Sequence, residues 1–214
     1  MNDPPLVVKD ISNIVVNEGA SGIELDLSEY FNDVDGDTLT FGATSSDTSL
    51  VEVDVSGSIL ELSFVENAYG ATTVNVTAED PAGATATINF DVSINPVNDP
   101  ATGSVVISGN FEEGGVLSST VSIDDPDGIA STSYAWKMAD SENGTYTAAS
   151  GTNDGAGYTI ASDQSMIDKW IRLKVIVEDT FGGKIILNSS ATQIVNNPPL
   201  FYVSNAPVAE PNHY

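Results

Sequence analysis

The chain has 214 residues, 41% of them hydrophobic, and sets 31 acidic against six basic side chains for a formal net charge of -25. That apolar fraction is too high for a disordered chain, and no apolar run approaches the roughly 18 residues needed to cross a bilayer. The acidic excess makes nucleic acid a poor partner, since there is no basic surface to replace its counterions, and an anionic membrane would repel the chain; with no long apolar run, no direct membrane insertion is expected.

In chain order, Asn2-Asp3-Pro4-Pro5 directly follows Met1, which reads as the start of a fragment. The stretches LVEVDV (50–55), SILELSF (58–64), TTVNVTAED (72–80) and TATINFDVSI (85–94) alternate apolar and polar residues and are rich in β-branched side chains, the period of half-buried strands. Asn98-Asp99-Pro100 then repeats the opening punctuation. Strand patterns resume in GSVVISG (103–109), VLSSTVSI (116–123), STSYAWKM (131–138), WIRLKVIVED (170–179) and KIILNSSATQIV (184–195). ASDQSMIDK (161–169) predicts one or two helical turns. A third copy, Asn196-Asn197-Pro198-Pro199, closes the second half, and a Pro- and Asn-containing tail follows.

Three copies about a hundred residues apart mark module boundaries, since that length suits one small all-β domain. The expected fold is all-β: two tandem seven-strand Greek-key β-sandwiches, cadherin-like and Ig-like, in an elongated arrangement. They would span residues 1–99 and 100–197, with 198–214 an extended tail or the start of a further module.

The halves align by their acids. Asn17-Glu18-Gly19 answers Glu112-Glu113-Gly114, Asp33-Val34-Asp35-Gly36-Asp37 answers Asp124-Asp125-Pro126-Asp127-Gly128, and Asp80 answers Asp179. In a Greek-key sandwich these positions gather at the poles. Hard divalent cations take six to eight oxygens, and Ca²⁺ tolerates the irregular geometry that several loops provide. The 33–37 loop is not an EF-hand, because its sixth and twelfth positions are Thr38 and Thr44. Each acid alone suits an Asx-turn or a soluble edge. Several converging at one pole repel one another without a cation, so together they point to Ca²⁺.

Asn2-Asp3-Pro4-Pro5, NEG (17–19), DVDGDTLTF (33–41), AYGATTVNVTAEDPAGATATINFDVSI (68–94) and PVNDP (96–100) together resemble a bacterial cadherin-like domain of the dystroglycan type. The resemblance implies Ca²⁺ as cofactor. It implies an inter-domain site from Glu18, Glu66, Asn98, Asp99, Asp125, Asp127 and Asp179, and an N-terminal pole site from Asn2, Asp3, Asp33, Asp35 and Asp80. Asn95 and Pro96 stand where animal cadherin linkers carry a further Asp, and Pro126 separates the acids of the second loop, which implies fewer ions per junction. The choice between Asp124 and Asp125 stays open. Asn197 replaces the acid of the third copy, so that exit is expected to hold Ca²⁺ more weakly.

Residues 103–195 resemble the immunoglobulin-like repeats of large RTX-type adhesins, carried by GNFEEGGVLSSTVSIDDPDG (109–128), YAWKM (134–138), GYTI (157–160) and WIRLKVIVED (170–179). Trp136 is expected in the core against a ligand-stacking alternative, and Trp170 stands between core and surface.

Chemistry for catalysis is absent from these patterns. Cysteine is missing, His213 is the one histidine, and no nucleophile elbow or phosphate-cradling loop occurs. The tripeptides at Asn75, Asn143 and Asn188 fit a glycosylation pattern that a Thr- and Ser-rich chain produces by chance. The expectation is a non-enzymatic, monomeric, extracellular Ca²⁺-binding extender of a bacterial surface adhesin, with neighbouring modules of the same chain as partners. The alternative is a carbohydrate- or peptide-binding module of a secreted adhesin or hydrolase, with Tyr146 and Tyr158 as candidate ligand contacts beside the long 150–158 loop.

Overall fold

The computed structural model describes residues 2–151 and 153–196. The chain divides between Asp99 and Pro100 into two compact units. The tail from Asn197 onward, with the third punctuation and His213, lies outside the described residues.

The first unit contains β1 (Leu6–Val7), β2 (Ile14–Asn17), β3 (Ile23–Asp26), β4 (Phe31–Asn32), β5 (Thr40–Ser45), β6 (Val51–Ser56), β7 (Ile59–Phe64), β8 (Gly70–Glu79) and β9 (Thr85–Asn95). A four-stranded sheet runs β2-β9-β8-β5 and a three-stranded sheet β3-β7-β6. Strand β2 joins β9 in parallel; the other ladders are antiparallel. Alternation along the strands puts Val74, Val76, Phe90 and Val92 of one sheet against Val51, Leu60 and Leu62 of the other in one buried core. This is a seven-strand sandwich, with β1 and β4 as an additional short pair. A single 3₁₀ turn at Leu27–Glu29, not expected from the sequence, forms because Asp26 accepts hydrogen bonds from the Ser28 N–H at 3.1 Å and the Ser28 hydroxyl at 2.7 Å, while Leu27 is fully buried.

The second unit contains β10 (Thr102–Gly109), β11 (Val116–Asp124), β12 (Ile129–Ala139), β13 (Thr147–Ala148), β14 (Tyr158–Thr159), β15 (Trp170–Asp179), β16 (Lys184–Asn188) and β17 (Thr192–Gln193). Its sheets are β10-β11-β14 and β13-β12-β15-β16, with β17 also on β15. Here the first strand pairs with the second, and Glu112, just before the Glu113–Gly114 turn, forms an isolated parallel bridge with Val195 that matches the parallel β2–β9 pairing of the first unit. Ile171, Leu173, Val175 and Val177 alternate inward from β15 onto Trp136, Leu117, Ile160 and Ile194.

The expected helical turns at 161–169 do not form. Asp163 accepts from the Ser165 N–H at 3.1 Å and from its hydroxyl, and Gln164 and Asp168 adopt φ of 65° and 64°, which breaks any helix into turns. Met166 nevertheless reaches the core, 1% exposed.

Candidate metal centre

Two loop types recur at equivalent places in the two units. Between β4 and β5, Asp33 Oδ1 accepts from the backbone N–H of Asp35 at 2.8 Å and of Asp37 at 3.4 Å. Following β11, Asp125 Oδ1 accepts from the N–H of Asp127 at 2.9 Å and of Gly128 at 3.0 Å. Each loop closes with a glycine N–H on the first aspartate's carbonyl, Gly36 on Asp33 and Gly128 on Asp125. Those glycines have φ of 78° and 91°, a conformation that costs an L-residue about 1–2 kcal/mol. The geometry aligns Asp125, not Asp124, with Asp33.

The second loop type follows β8 and β15. Asp80 Oδ1 accepts from Ala82 at 2.8 Å and Ala84 at 2.9 Å; Asp179 Oδ1 accepts from Phe181 at 2.9 Å and Gly183 at 2.8 Å. Both aspartates are buried, 4% and 3% exposed. In the second unit the two loops are tied together, since Thr180 donates its N–H to the Gly128 carbonyl at 3.1 Å and its hydroxyl to the Asp127 carbonyl at 2.9 Å.

At the first unit's pole the structure brings all five of Asn2, Asp3, Asp33, Asp35 and Asp80 into one hydrogen-bonded group. The β1–β4 ladder, with Leu6 opposite Asn32, delivers the N-terminal segment to the 33–37 loop. There Asn2 donates its side-chain amide to Asp80 Oδ2 at 2.9 Å, and the Asp3 N–H donates to Asp35 Oδ2 at 2.7 Å. The Asn2 amide chiefly, and then the N–H groups of Ala84, Ala82 and Gly83, hold the Asp80 carboxyl below the usual carboxylate range against the opposing effect of burial. Asp33, Asp35 and Asp37 each place a carboxylate oxygen within 4.8 Å of the others. Asp37 lay outside the candidate set, although its spacing two residues beyond Asp35 was the signal that could have found it.

Of the remaining candidates, Glu18 reaches back along its own unit. Its N–H donates to the Asn95 carbonyl at 2.9 Å and its Oε1 accepts from the Val97 N–H, so its carboxylate is fixed beside the segment that carries Asn98 and Asp99. Glu66 is exposed in the turn after β7. Among the described residues, three carboxylate oxygens are buried without a hydrogen-bond partner: Glu18 Oε2, Asp33 Oδ2 and Asp125 Oδ2. A buried carboxylate oxygen lacking a donor is costly, and a cation is one group that satisfies it.

The two tyrosines differ. Tyr158 is 3% exposed, stacks on Trp136 with ring centroids 5.5 Å apart, and donates its hydroxyl to the Ser150 carbonyl at 2.7 Å, so its ring and its polar tip both belong to the core. Tyr146 is half-buried beneath the Arg172 guanidinium, 3.8 Å from its ring centroid. Trp136 is fully buried and donates Nε1–H to the Gly155 carbonyl at 2.9 Å. The long loop is thereby pinned to the core, and Trp136 also accepts and donates backbone bonds with Ala149 and Asn153. Trp170 is half-buried at the start of β15.

Sandwich topology, Greek-key order and repeated acidic loops define immunoglobulin-like β modules. A family model described as a bacterial Ig domain matches residues 2–93. No curated protein sequence matches the chain. Similar solved structures include extracellular cadherin domains 1–4 of protocadherin gamma B7, at 10% identity and TM-score 0.43, covering 89% of this chain and 49% of that one. Human protocadherin-24 EC1-2 matches at 18% identity and TM-score 0.38, over 92% of this chain and 100% of that one. A Bacteroides ovatus glucan-utilisation protein, SGBP-B, crystallised with a mixed-linkage heptasaccharide, matches at 11% identity and TM-score 0.35, over 90% of this chain and 47% of that one. The chain thus spans about half the length of the first and third.

Proposed function

We propose that this chain is a non-enzymatic, Ca²⁺-binding structural segment of a bacterial secreted or surface adhesin, acting as a monomeric spacer within a longer extracellular chain. The observation that carries the reading is the set of orphaned buried oxygens on Glu18, Asp33 and Asp125, each an acid that the sequence had put forward as a ligand. The donor set is all oxygen, carboxylate and amide, which fits a hard cation such as Ca²⁺ and not a soft metal.

At the first unit's pole, Asp33, Asp35 and Asp80 with Asn2 and Asp3 would hold the ion, joined by Asp37. Glu18, Glu66, Asn98 and Asp99 are the further candidate ligands of the first unit, and Asp125, Asp127 and Asp179 those of the second. Bound Ca²⁺ would neutralise converging carboxylates and cross-link loops that otherwise repel. Asp80 and Asp179 each have one oxygen committed to backbone N–H groups, which holds both carboxylates rigidly in place.

A calorimetric Ca²⁺ titration of the whole chain tests the proposal. Binding near 10⁻⁴ to 10⁻³ M is expected, the range of extracellular modules. Absence of a binding isotherm up to about 10 mM, a concentration well above that range, would overturn it.

A further inference from the structure

Five of the six basic residues, Lys137, Lys169, Arg172, Lys174 and Lys184, fall between positions 137 and 184 of the second unit. The ladders show why this is more than a composition effect. On β15 the core side is taken by Ile171, Leu173, Val175 and Val177, so Trp170, Arg172 and Lys174 share the opposite face. Lys137 of β12 lies directly across from Arg172, and Ala139 across from Trp170. On the other flank Asn188 of β16 faces Lys174. Tyr146 covers Arg172 from the loop before β13.

In a chain with 31 acids, ion pairs should consume these cations, and for two of the five they do: Lys169 pairs with Asp140, and Lys184 with Glu178 at 3.2 Å. Lys137, Arg172 and Lys174 have no carboxylate within ion-pairing distance among the described residues. Residues two apart on a strand are about 7 Å apart, so the three form a compact cationic cluster. Acids farther away than the screening length of about 8 Å at physiological salt act on the cluster only weakly, while Glu142 lies near its edge beside Tyr146.

We infer that this outer face of the β13-β12-β15-β16 sheet is a docking surface for an anionic polysaccharide, one bearing uronate or sulfate groups. Charge complementarity selects an anion; the Arg172 Nε is buried, so the guanidinium would meet a carboxylate or sulfate through its two Nη groups. The rest of the face selects a sugar over an acidic peptide. Trp170, half-buried beside the cations, offers an aromatic ring that suits the aliphatic face of a pyranose, while the Tyr146 ring backs the Arg172 guanidinium and fixes its position. At the end where Ala139 meets Trp170 an open groove of about 210 Å³ is lined by Met138, Ala139, Asp140, Thr145, Thr147 and Lys169, a set of hydroxyls and a paired ion suited to sugar hydroxyls. The site is separate from the acidic poles and needs no metal.

The test is affinity electrophoresis and calorimetry of the full chain in chelator, so that Ca²⁺ bridging contributes nothing. The probes are a polyuronate and a sulfated polysaccharide, with neutral dextran and poly-glutamate as comparisons. Retardation by either anionic polysaccharide and by neither comparison is expected. It should fall about tenfold in Arg172→Gln/Lys174→Gln, which removes two charges, with melting lowered only by the loss of the Arg172–Tyr146 contact. It should also weaken as salt rises from about 0.15 M to about 1 M and the Debye length shrinks from about 8 Å to about 3 Å. Equal retention of the double variant, binding of poly-glutamate as strong as that of the polysaccharides, or no retention by either anionic polysaccharide overturns the inference. Because Ca²⁺ is absent throughout, the result is independent of the outcome of the Ca²⁺ titration.

Discussion

Asp33→Asn should change sign with Ca²⁺. The substitution is nearly isosteric, and the remaining carbonyl oxygen can still accept from the Asp35 and Asp37 N–H groups. Carboxylate oxygens of Asp33, Asp35 and Asp37 lie within 4.8 Å of one another. At that separation two like charges repel by about 1 kcal/mol in a water-like dielectric, and Asp35 is exposed, so in chelator the variant should gain about 1–2 kcal/mol from two relieved pairs, less at high salt. With Ca²⁺ at about a hundredfold excess over Kd, the wild-type protein gains about 2.7 kcal/mol from one bound ion, and most of that is lost in the variant. For a domain of this size each kcal/mol moves Tm by about 4–8 °C, so Ca²⁺ should raise the wild-type transition by about 10–20 °C and the variant's far less. Scanning calorimetry records the transitions of both units. Tryptophan fluorescence reads only the second, because both tryptophans, Trp136 and Trp170, belong to it, and so serves as an internal control. A Ca²⁺-induced shift of the same size in wild type and variant would refute the assignment of Asp33 as a ligand.

Acid should selectively remove the Asn2–Asp80 contribution. The folded Asp80 pKa is depressed, so the stabilisation is complete above the unfolded carboxylate value of about 3.9 and is lost as pH falls through the lower folded value. Asn2→Ala should therefore be less stable than wild type at neutral pH in chelator, with the gap closing below about pH 4 in a melting series. In the second unit, Trp136→Ala should cost about 3–5 kcal/mol by urea unfolding. Trp136→Phe should cost about 1–3 kcal/mol by leaving the Gly155 carbonyl without its donor, and should expose the 150–156 loop to proteolysis.

Most strands were legible in the sequence because their side chains alternate with the period of two that a half-buried strand imposes. Strands β6 to β12 and β15 to β16 follow from runs such as Val51-Glu52-Val53-Asp54-Val55, whereas Trp136 as a core residue followed from the resemblance to immunoglobulin-like repeats. The local turns that place the acids were equally readable, since an Asp followed by a glycine three residues on dictates its own hydrogen bonds. That local rule also misleads: Asp163 and Ser165 satisfy each other in a turn at a place where propensity alone favours a helix.

Tertiary structure decided what alternation cannot express, namely which strands lie side by side. In the first unit β2 pairs with the last strand, in parallel, and in the second β10 pairs with the next strand, antiparallel; both choices satisfy the same polar-apolar pattern. Only the β1–β4 ladder shows how Asn2 and Asp3 reach Asp80 and Asp35, across 78 and 32 positions of sequence. The clustering of Lys137 with Arg172 and Lys174 likewise depends on the β12–β15 register, since a slip of one residue would turn Lys137 into the core. The sequence by itself therefore determined that these residues would form acid-capped β modules, because strand periodicity and Asx-turns are local properties. Which acids share a pole, which of their oxygens are left buried without a donor, and which cations share a face are properties of strand pairing, and only the folded chain decides them.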